Sequence, residues 1–410
     1  MAVSARHAFF AGTETLCQSV DLNTSELSRQ FADRYGDSGT PARAFYAPGR
    51  VNLIGDHTDY NGGLVFPCAI NFGTTLLIRP TVKSAIQLAS TNFDLVAVLS
   101  KDQANQKYGD HWINYPLGVL QQFEKAGFDI GGFECLLSGN VPNGAGLSSS
   151  ASVSVVMAFA INELFSCGLD DITLVQMARS AENDFVGVQC GIMDQYAVTM
   201  GQSNHAMMLD CGNLVCEQVP LLLNDHAIVL INSNQRRELS ESKYNERVAE
   251  TRLAREKLAP LSNVTSLAQL TPAQLSDHRL VFAESPIAFQ RARHVVTEHD
   301  RVKRAVAALR ESDLQSFGRL MYESHESLRD DYNVSSKPLD TLVDIARDTE
   351  GVLGARLTGA GFGGCTVNLV HSNAVQKLLS NVEHHYKDRT GLTANGYQIS
   401  PSDGVREVCS

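Results

Sequence analysis

Gly139-Asn-Val-Pro-Asn-Gly-Ala-Gly-Leu-Ser-Ser-Ser-Ala-Ser152 is the stretch on which the fold turns. Residues 139–146 hold three glycines and a proline, a composition that demands a loop. Glycine lets the backbone turn tightly and approach a ligand with no Cβ in the way. The chain then enters a run of small and apolar residues, 148–160, that reads as a buried helix. A loop feeding a helix N-terminus aims unpaired N–H groups and the positive end of the helix dipole at an anion. Consecutive Ser148, Ser149 and Ser150 add hydroxyls, and a serine hydroxyl can also ligate Mg²⁺. The physical reading is a phosphate cradle, and the plain alternative is a glycine-rich turn with a serine N-cap. No GxxxxGK[ST] occurs in the chain, so this is not a Walker A loop.

Outward from this loop, strand-like and helix-like segments alternate without a fixed repeat or a low-complexity tract. Upstream, the patterning predicts a helix at 25–35 and a strand at 44–53. One or two strands are expected at 64–79, with Gly73 as a break, and short strands at 85–89, 95–99 and 133–138. Downstream, Thr173-Leu-Val-Gln176 reads as a capping box opening a helix. Leu174, Met177, Ala178 and Ala181 follow its apolar face, and Glu182 lies near its end. Gly191 breaks the chain and 193–200 restarts it. The second half reads as a strand at 227–231 and charged helices at 241–258 and 288–309. A glycine-rich loop at 356–364, a strand at 365–370 and a helix at 374–386 follow. This order lacks a βαβ rhythm and predicts an α+β fold. A boundary near Cys211 divides the chain into 1–211 and 212–410.

The 410 residues suit about two or three domains. With 43% hydrophobic and 19% charged residues, the composition is that of a globular protein. The formal charge of −11 argues against a nucleic-acid or anionic-membrane binder, but leaves room for one anionic small molecule in a locally positive pocket. Nine cysteines, an odd number with no CxxC pair, point to reduced thiols in a cytoplasm rather than to disulfides or zinc. Residues 1–16 carry one Arg and no sustained apolar core, so no signal peptide is expected. No apolar run approaches the ~18 residues of a membrane span.

Three further clusters carry chemistry. In Pro48-Gly-Arg-Val-Asn-Leu-Ile-Gly-Asp-His-Thr-Asp-Tyr-Asn-Gly-Gly63, the side chains of Asp56, His57 and Asp59 crowd into one turn. Carboxylates accept hydrogen bonds from sugar hydroxyls and His does either, while Arg50 can neutralise phosphate charge. A solvated polar turn and a weak metal site are the other readings. Glu182 and Asp194 form the next cluster: one carboxylate can hold Mg²⁺ and another can orient or deprotonate a hydroxyl, although such pairs are often surface charges. In the last, Thr358-Gly-Ala-Gly-Phe-Gly-Gly364 contains GxGxGG, but a strand follows it where a dinucleotide fingerprint needs a helix. Packing against another loop is the better account. His325-Glu326 fails as a metalloprotease motif because Arg329 occupies the second His position. His384-His385 reads as surface, Trp112 as packing, and Tyr244 as either core or site.

Motifs in order along the chain carry a family resemblance. They are APGRVNLIGDHTDYNGG at 47–63, GNVPNGAGLSSSAS at 139–152 and LTGAGFGGC at 357–365. With AENDFVG at 181–187, CGIMDQ at 190–195 and INSN at 231–234, the chain resembles the galactokinase family. That family belongs to the superfamily of galacto-, homoserine, mevalonate and phosphomevalonate kinases. The resemblance implies a two-domain α+β small-molecule kinase fold with its active site between the domains. It places the sugar and ATP-phosphate loops in 1–211 and the glycine-rich motif in 212–410. It implies ATP-dependent phosphorylation of D-galactose at the C1 hydroxyl, giving α-D-galactose 1-phosphate and ADP, the first committed step of galactose catabolism. ATP and Mg²⁺ are the implied cofactors, the cytoplasm the implied location, and a monomer or weak oligomer the implied state. The implied partner is the small-molecule substrate, with neither nucleic acid nor membrane.

Position by position, Asp194 matches the aspartate that takes the proton from the C1 hydroxyl, and Arg50 matches the arginine that stabilises the transition state. Asp56, His57, Thr58 and Asp59 match the sugar-binding run, with Gly191 and Tyr244 beside the sugar. Gly144, Ala145, Gly146, Leu147, Ser148, Ser149 and Ser150 match the phosphate loop, and Ser150 and Glu182 the Mg²⁺ positions. One position departs: the family's usual residue at the first sugar-binding position is Glu, and Asp56 is one methylene shorter. The Ser150-Ala151 pair, which transcriptional sensors of the family lack, is present. The alternatives are a kinase for another sugar such as N-acetylgalactosamine, a sensor without turnover, and a nucleotide-binding interaction protein. A sugar panel and sugar-dependent stability separate them.

Overall fold

The computed structural model describes residues 24–408 except 110, 143, 236–239 and 263. The N-terminal stretch read above, Cys17, Asn143 of the glycine loop and Cys409 lie outside the described residues.

Thirteen strands form three sheets among the described residues. In chain order they are β1 (Arg43–Asn52), β2 (Leu64–Val65), β3 (Pro67–Pro80), β4 (Ile86–Ser90), β5 (Ala97–Leu99), β6 (Phe133–Gly139), β7 (His205–Asp210), β8 (Val215–Pro220), β9 (His226–Asn232), β10 (Val352–Leu357), β11 (Cys365–His371), β12 (Asn395–Ile399) and β13 (Arg406–Val408). The largest sheet has the order β13-β1-β3-β6-β4-β5. Its β4–β6 pair is parallel and its other pairs are antiparallel. A second sheet, β10-β11-β9-β12, and a third, β2-β7-β8, are both antiparallel. Helices pack on these sheets without βαβ alternation, which is the α+β arrangement expected.

Helices Asn114–Lys125 and Ser149–Leu164 cover the large sheet, burying Leu117, Phe123, Val155 and Ile161 against Phe45, Leu76 and Phe133. A second core joins the two halves of the chain. Val51, Leu53, Phe66, Ala145 and Leu147 pack there with Val302, Val306, Phe317, Met321 and Leu369. The apolar ends of the loop 53–63 and of the glycine loop are therefore anchored in the same core. The last strand, β13, pairs with β1, so the C-terminus returns to the first sheet across any division at residue 211.

Three local expectations need correction. Gly73 does not end a strand: β3 runs on, and the pairing jumps from Pro48–Gly73 to Gly49–Ile70, a bulge. The helix expected to open at Thr173 begins earlier, as Asp171–Ser180, because the Asp170 carboxylate accepts the Thr173 N–H at 2.8 Å. Aspartate outcompetes threonine as an N-cap. Arg356 and Leu357 belong to β10, so the second glycine loop starts at Thr358.

Candidate active site

The glycine loop ends at Ser148, whose backbone is left-handed with φ 59° and ψ 47°. Such a conformation is strained for a residue with a Cβ and persists only where the surrounding structure holds it. Ser148 carries no cap hydrogen bond for the helix Ser149–Leu164. Its hydroxyl donates to Asp194 Oδ2 instead. Alternate loop residues explain the pattern: Ala145 and Leu147 are buried in the shared core, while Gly144 and Ser149 are exposed and Gly146 and Ser150 half-buried. The loop is thus anchored from beneath by Ala145 and Leu147.

Asp194 lies in the first turn of helix Met193–Met200, where the helix dipole favours a carboxylate. Arg50, near the end of β1, donates Nε to Asp194 Oδ1 at 2.7 Å and Nη2 to Oδ2 at 2.6 Å. Its remaining nitrogen, Nη1, donates to the Gly146 carbonyl at 2.8 Å. One guanidinium therefore ties the carboxylate to the glycine loop in the forked geometry that lysine cannot reproduce.

Glu182 sits in a π-helical turn, Ala181–Val186, that continues the preceding helix. It is buried, accepts from Gln195 Nε2 at 2.7 Å, and is hydrogen-bonded by the Ser150 side chain. Burial pushes its pKa up to about 7, against the pull of the Gln195 hydrogen bond. A carboxylate and a hydroxyl side by side make a hard oxygen pair that fits Mg²⁺, which takes few protein ligands and completes its shell with water and phosphate. No larger metal-binding cluster of His, Cys, Asp and Glu occurs among the described residues. His325, dismissed as a ligand above, is buried and bonded to Asp340 and the Leu357 N–H.

The loop after β1 separates into inward and outward residues. Asp56 is 1% exposed, its carboxylate taken by Arg356 Nη2 and by the Gly359 N–H. Burial raises its pKa, and Arg356 opposes that rise. Each Asp56 oxygen thus already accepts from one protein donor, so the carboxylate supports the loop from within. His57 is buried too, its Nε2 3.3 Å from the Ala360 carbonyl and its Nδ1 2.8 Å from the Tyr60 hydroxyl. A carbonyl only accepts, so Nε2 carries the proton and Nδ1 accepts from Tyr60. The Tyr60 oxygen is 2.7 Å from the Tyr332 hydroxyl, which continues the chain inward. Burial, with His294 nearby, lowers the His57 pKa to about 3, so the ring is neutral. The Thr58 hydroxyl lies 2.8 Å from the Gly55 carbonyl and 2.7 Å from that of Leu64, closing the loop on itself.

Asp59 faces the other way. It makes no ion pair among the described residues and lies beside Asp194, and burial together with that neighbour's charge pushes its pKa up to about 7. Gly191 abuts it so closely that a Cβ there would fall 1.7 Å from Asp59 Oδ2. The segment carrying Gly191 is pinned by Asn183, whose side chain bonds both the N–H and the carbonyl of Cys190. Tyr244, on helix Ser240–Ser262, is half-buried with its ring 5.6 Å from His57 and 5.5 Å from Tyr60. It therefore borders the site rather than a remote core.

Gly359 of the second glycine loop packs on the first: a Cβ there would come within 3.1 Å of the Gly146 carbonyl. Sequence reasoning thus named residues that do converge, Arg50, Asp59, Glu182, Gly191, Asp194, Tyr244 and the 144–150 loop. It missed Gln195, Tyr60, Tyr332 and Arg356, and the hydroxyl of Ser148, expected in the phosphate loop, donates to Asp194 here. Gln195 and Tyr60 were visible within quoted motifs, but Tyr332 and Arg356 reach the site only by long-range packing.

The family model described as "Galactokinase galactose-binding signature" matches residues 29–80. Those described as "GHMP kinases N terminal domain" and "GHMP kinases C terminal" match 114–202 and 305–388. The chain is 45% identical to the galactokinase of Clostridium beijerinckii over 95% of its own length and all of that protein. It is 43% identical to the galactokinase of Fusobacterium nucleatum over 93% of its length and 99% of the relative. The solved Lactococcus lactis galactokinase complexed with galactose superposes with a TM-score of 0.92 at 40% identity, covering 94% of this chain and all of that one. Methanococcus jannaschii mevalonate kinase, at 20% identity and TM-score 0.64 over 90% of this chain and all of that one, shares the fold.

Proposed function

The chain belongs to the galactokinase family, and from that premise we propose how its own residues carry out ATP-dependent phosphorylation of D-galactose. The products are α-D-galactose 1-phosphate and ADP. The observation that carries this reading is the Arg50–Asp194 fork, set between the glycine loop on one side and Asp59 on the other.

The C1 hydroxyl oxygen forms a bond to the γ-phosphorus as the bond to the β–γ bridging oxygen breaks and ADP leaves. Asp194 Oδ2 already accepts from Arg50 and Ser148, whereas Oδ1 accepts from Arg50. Oδ1 thus keeps a lone pair for the C1 hydroxyl, and both orienting that hydroxyl and receiving its proton use this atom. Arg50 counters the charge that develops at the transferring group. The 144–150 loop and the N-terminus of helix Ser149–Leu164 supply backbone donors for the phosphates. Ser150 and Glu182 would hold Mg²⁺, which neutralises phosphate charge when bound. Asp59, with Gly191 and Tyr244 around it, accepts hydrogen bonds from the sugar. His57, Thr58 and Asp56 shape the loop from within.

Among the described residues, no helix is long and apolar enough to cross a membrane, and Cys68, Cys135, Cys167, Cys190, Cys211 and Cys216 form no disulfide. A cytoplasmic monomer or weak oligomer acting on a small molecule completes the reading.

The test is ADP release with Mg-ATP and a panel of galactose, N-acetylgalactosamine, glucose, mannose and talose. Turnover on galactose and close analogues that disappears in Asp194→Ala is the expected result. Turnover on another sugar alone would reassign the substrate, and sugar and ATP binding without ADP release would make the protein a sensor.

A further inference from the structure

Beneath the sugar-facing loop runs a chain of buried charges that the mechanism does not use. Arg301 pairs with Glu298 Oε2. Glu298 Oε1 accepts from the Gly55 N–H at 2.9 Å and from the Ser324 hydroxyl. Ser324 Oγ in turn accepts from Arg356 Nε at 3.2 Å, and Arg356 Nη2 pairs with Asp56. Arg356 Nη1 donates to the Asn52 carbonyl at 3.0 Å. His294 Nε2 donates to the Asp56 carbonyl at 3.0 Å, its Nδ1 accepting from Ser327. Glu298 and Arg356 are both 0% exposed. Cations and anions alternate along this chain, so its charge cancels.

Such a network adds little net stability over an apolar core of equal volume, because each ion loses its hydration. What it does provide is geometry. The donors and acceptors come from the C-terminal half, on helices Pro286–Arg310 and Leu314–Asp330 and on β10. The groups they hold, Asn52, Gly55 and Asp56, belong to the end of β1 and the loop that follows. Asp56 suits the fully enclosed guanidinium, and with its side chain turned inward the chain reverses so that Asp59 emerges beside Asp194 and Gly191.

We propose that Arg356, backed by Glu298 through Ser324, is a positioning residue for sugar recognition, holding Asp56 inward so that Asp59 is the carboxylate that reads the sugar. This inference rests on the galactose-kinase reading above. Arg356 touches neither reactant in this arrangement; it acts through the loop.

The experiment varies galactose and ATP separately in wild type, in the charge-neutral pair Asp56→Asn with Arg356→Gln, and in Arg356→Lys. The expected result is a galactose KM raised at least tenfold in the neutral pair, with kcat within about fivefold and the KM for ATP within twofold. Arg356→Lys, which keeps the charge, recovers part of the galactose KM. A galactose KM within twofold of wild type in the folded neutral pair overturns the proposal, as does a parallel rise in the KM for ATP. If the pair does not fold, Ser324→Ala reads the same link: a rise of about threefold in galactose KM alone supports it, and no change overturns it. Wild-type turnover on galactose judges the function itself, so its absence and the failure of the positioning role are separate results.

Discussion

Arg50 and Asp194, 144 residues apart in the chain, meet in a two-pronged ion pair with both contacts shorter than 2.8 Å. The same guanidinium also reaches the Gly146 carbonyl, so the carboxylate and the phosphate loop share one support. Lysine offers a single point charge and cannot span three acceptors in a plane. Arg50→Lys is expected to lower kcat by about 10²-fold. Asp194→Ala should lower it by more than about 10³-fold while ATP still binds. Steady-state kinetics with equilibrium nucleotide binding check both, and wild-type turnover in Asp194→Ala would remove that residue from the mechanism.

Ser148 separates two roles that its place in the glycine loop confounds. If its hydroxyl serves Asp194, as the contact indicates, Ser148→Ala removes one hydrogen bond to a charged group, worth roughly 1.5–3 kcal/mol. The expected result is a fall in kcat of about 10- to 100-fold with the KM for ATP near its wild-type value. A rise in the KM for ATP with kcat retained would return Ser148 to the phosphate.

Glu182 must lose its proton before it can hold a cation, and its pKa is pushed up to about 7 by burial. The Mg²⁺ concentration needed for half-maximal rate should therefore fall as pH rises from about 6 to 8. Glu182→Gln should raise that concentration about tenfold and flatten its pH dependence. An unchanged Mg²⁺ titration in the variant would exclude Glu182 as a ligand.

Asp59 offers a stability readout independent of turnover. Its folded pKa of about 7 lies above its ordinary carboxylate value, so between about pH 4 and 7 the folded protein binds more protons than the unfolded chain. Its contribution is full below the unfolded pKa and declines as pH rises through the folded one. Asp59→Asn should therefore gain stability relative to wild type on going from pH 5 to 8, by roughly 1–3 kcal/mol. Urea unfolding at both pH values measures the difference, and saturating galactose should shrink it in the wild type. A difference independent of pH would contradict the assignment.

Gly191→Ala places a methyl group into the Asp59 carboxylate, 1.7 Å from Oδ2 before any shift. The loop must move, and the sugar side of the site moves with it. A galactose KM raised about tenfold or more, with nucleotide binding retained, is the expected outcome by kinetics and calorimetry. Equal loss of both substrates would mean that the two sides of the site are not separable.

Glycine, proline and serine patterns act over a few residues, and that is why the 139–152 loop and its helix, the strand at 44–53 and the acidic turns were legible in the chain. Local sterics and helix-end chemistry decide them, whatever packs around. The family motifs drew on the same short segments, so family, α+β fold and most of the converging side chains could be read without coordinates. Which way each side chain of the 56–59 run points is a different kind of fact. Asp56 pairs with Arg356, 300 positions away and buried beneath it, whereas Asp59 lies against Gly191. Likewise β13 returns to β1 across most of the chain, and Tyr332 completes the His57–Tyr60 chain from a distant helix end. The sequence by itself determined the family, the fold class and the loops. Tertiary packing alone decided which of the loops' polar groups are paired in the interior and which are not, because burial and pairing depend on neighbours that spacing along the chain does not encode.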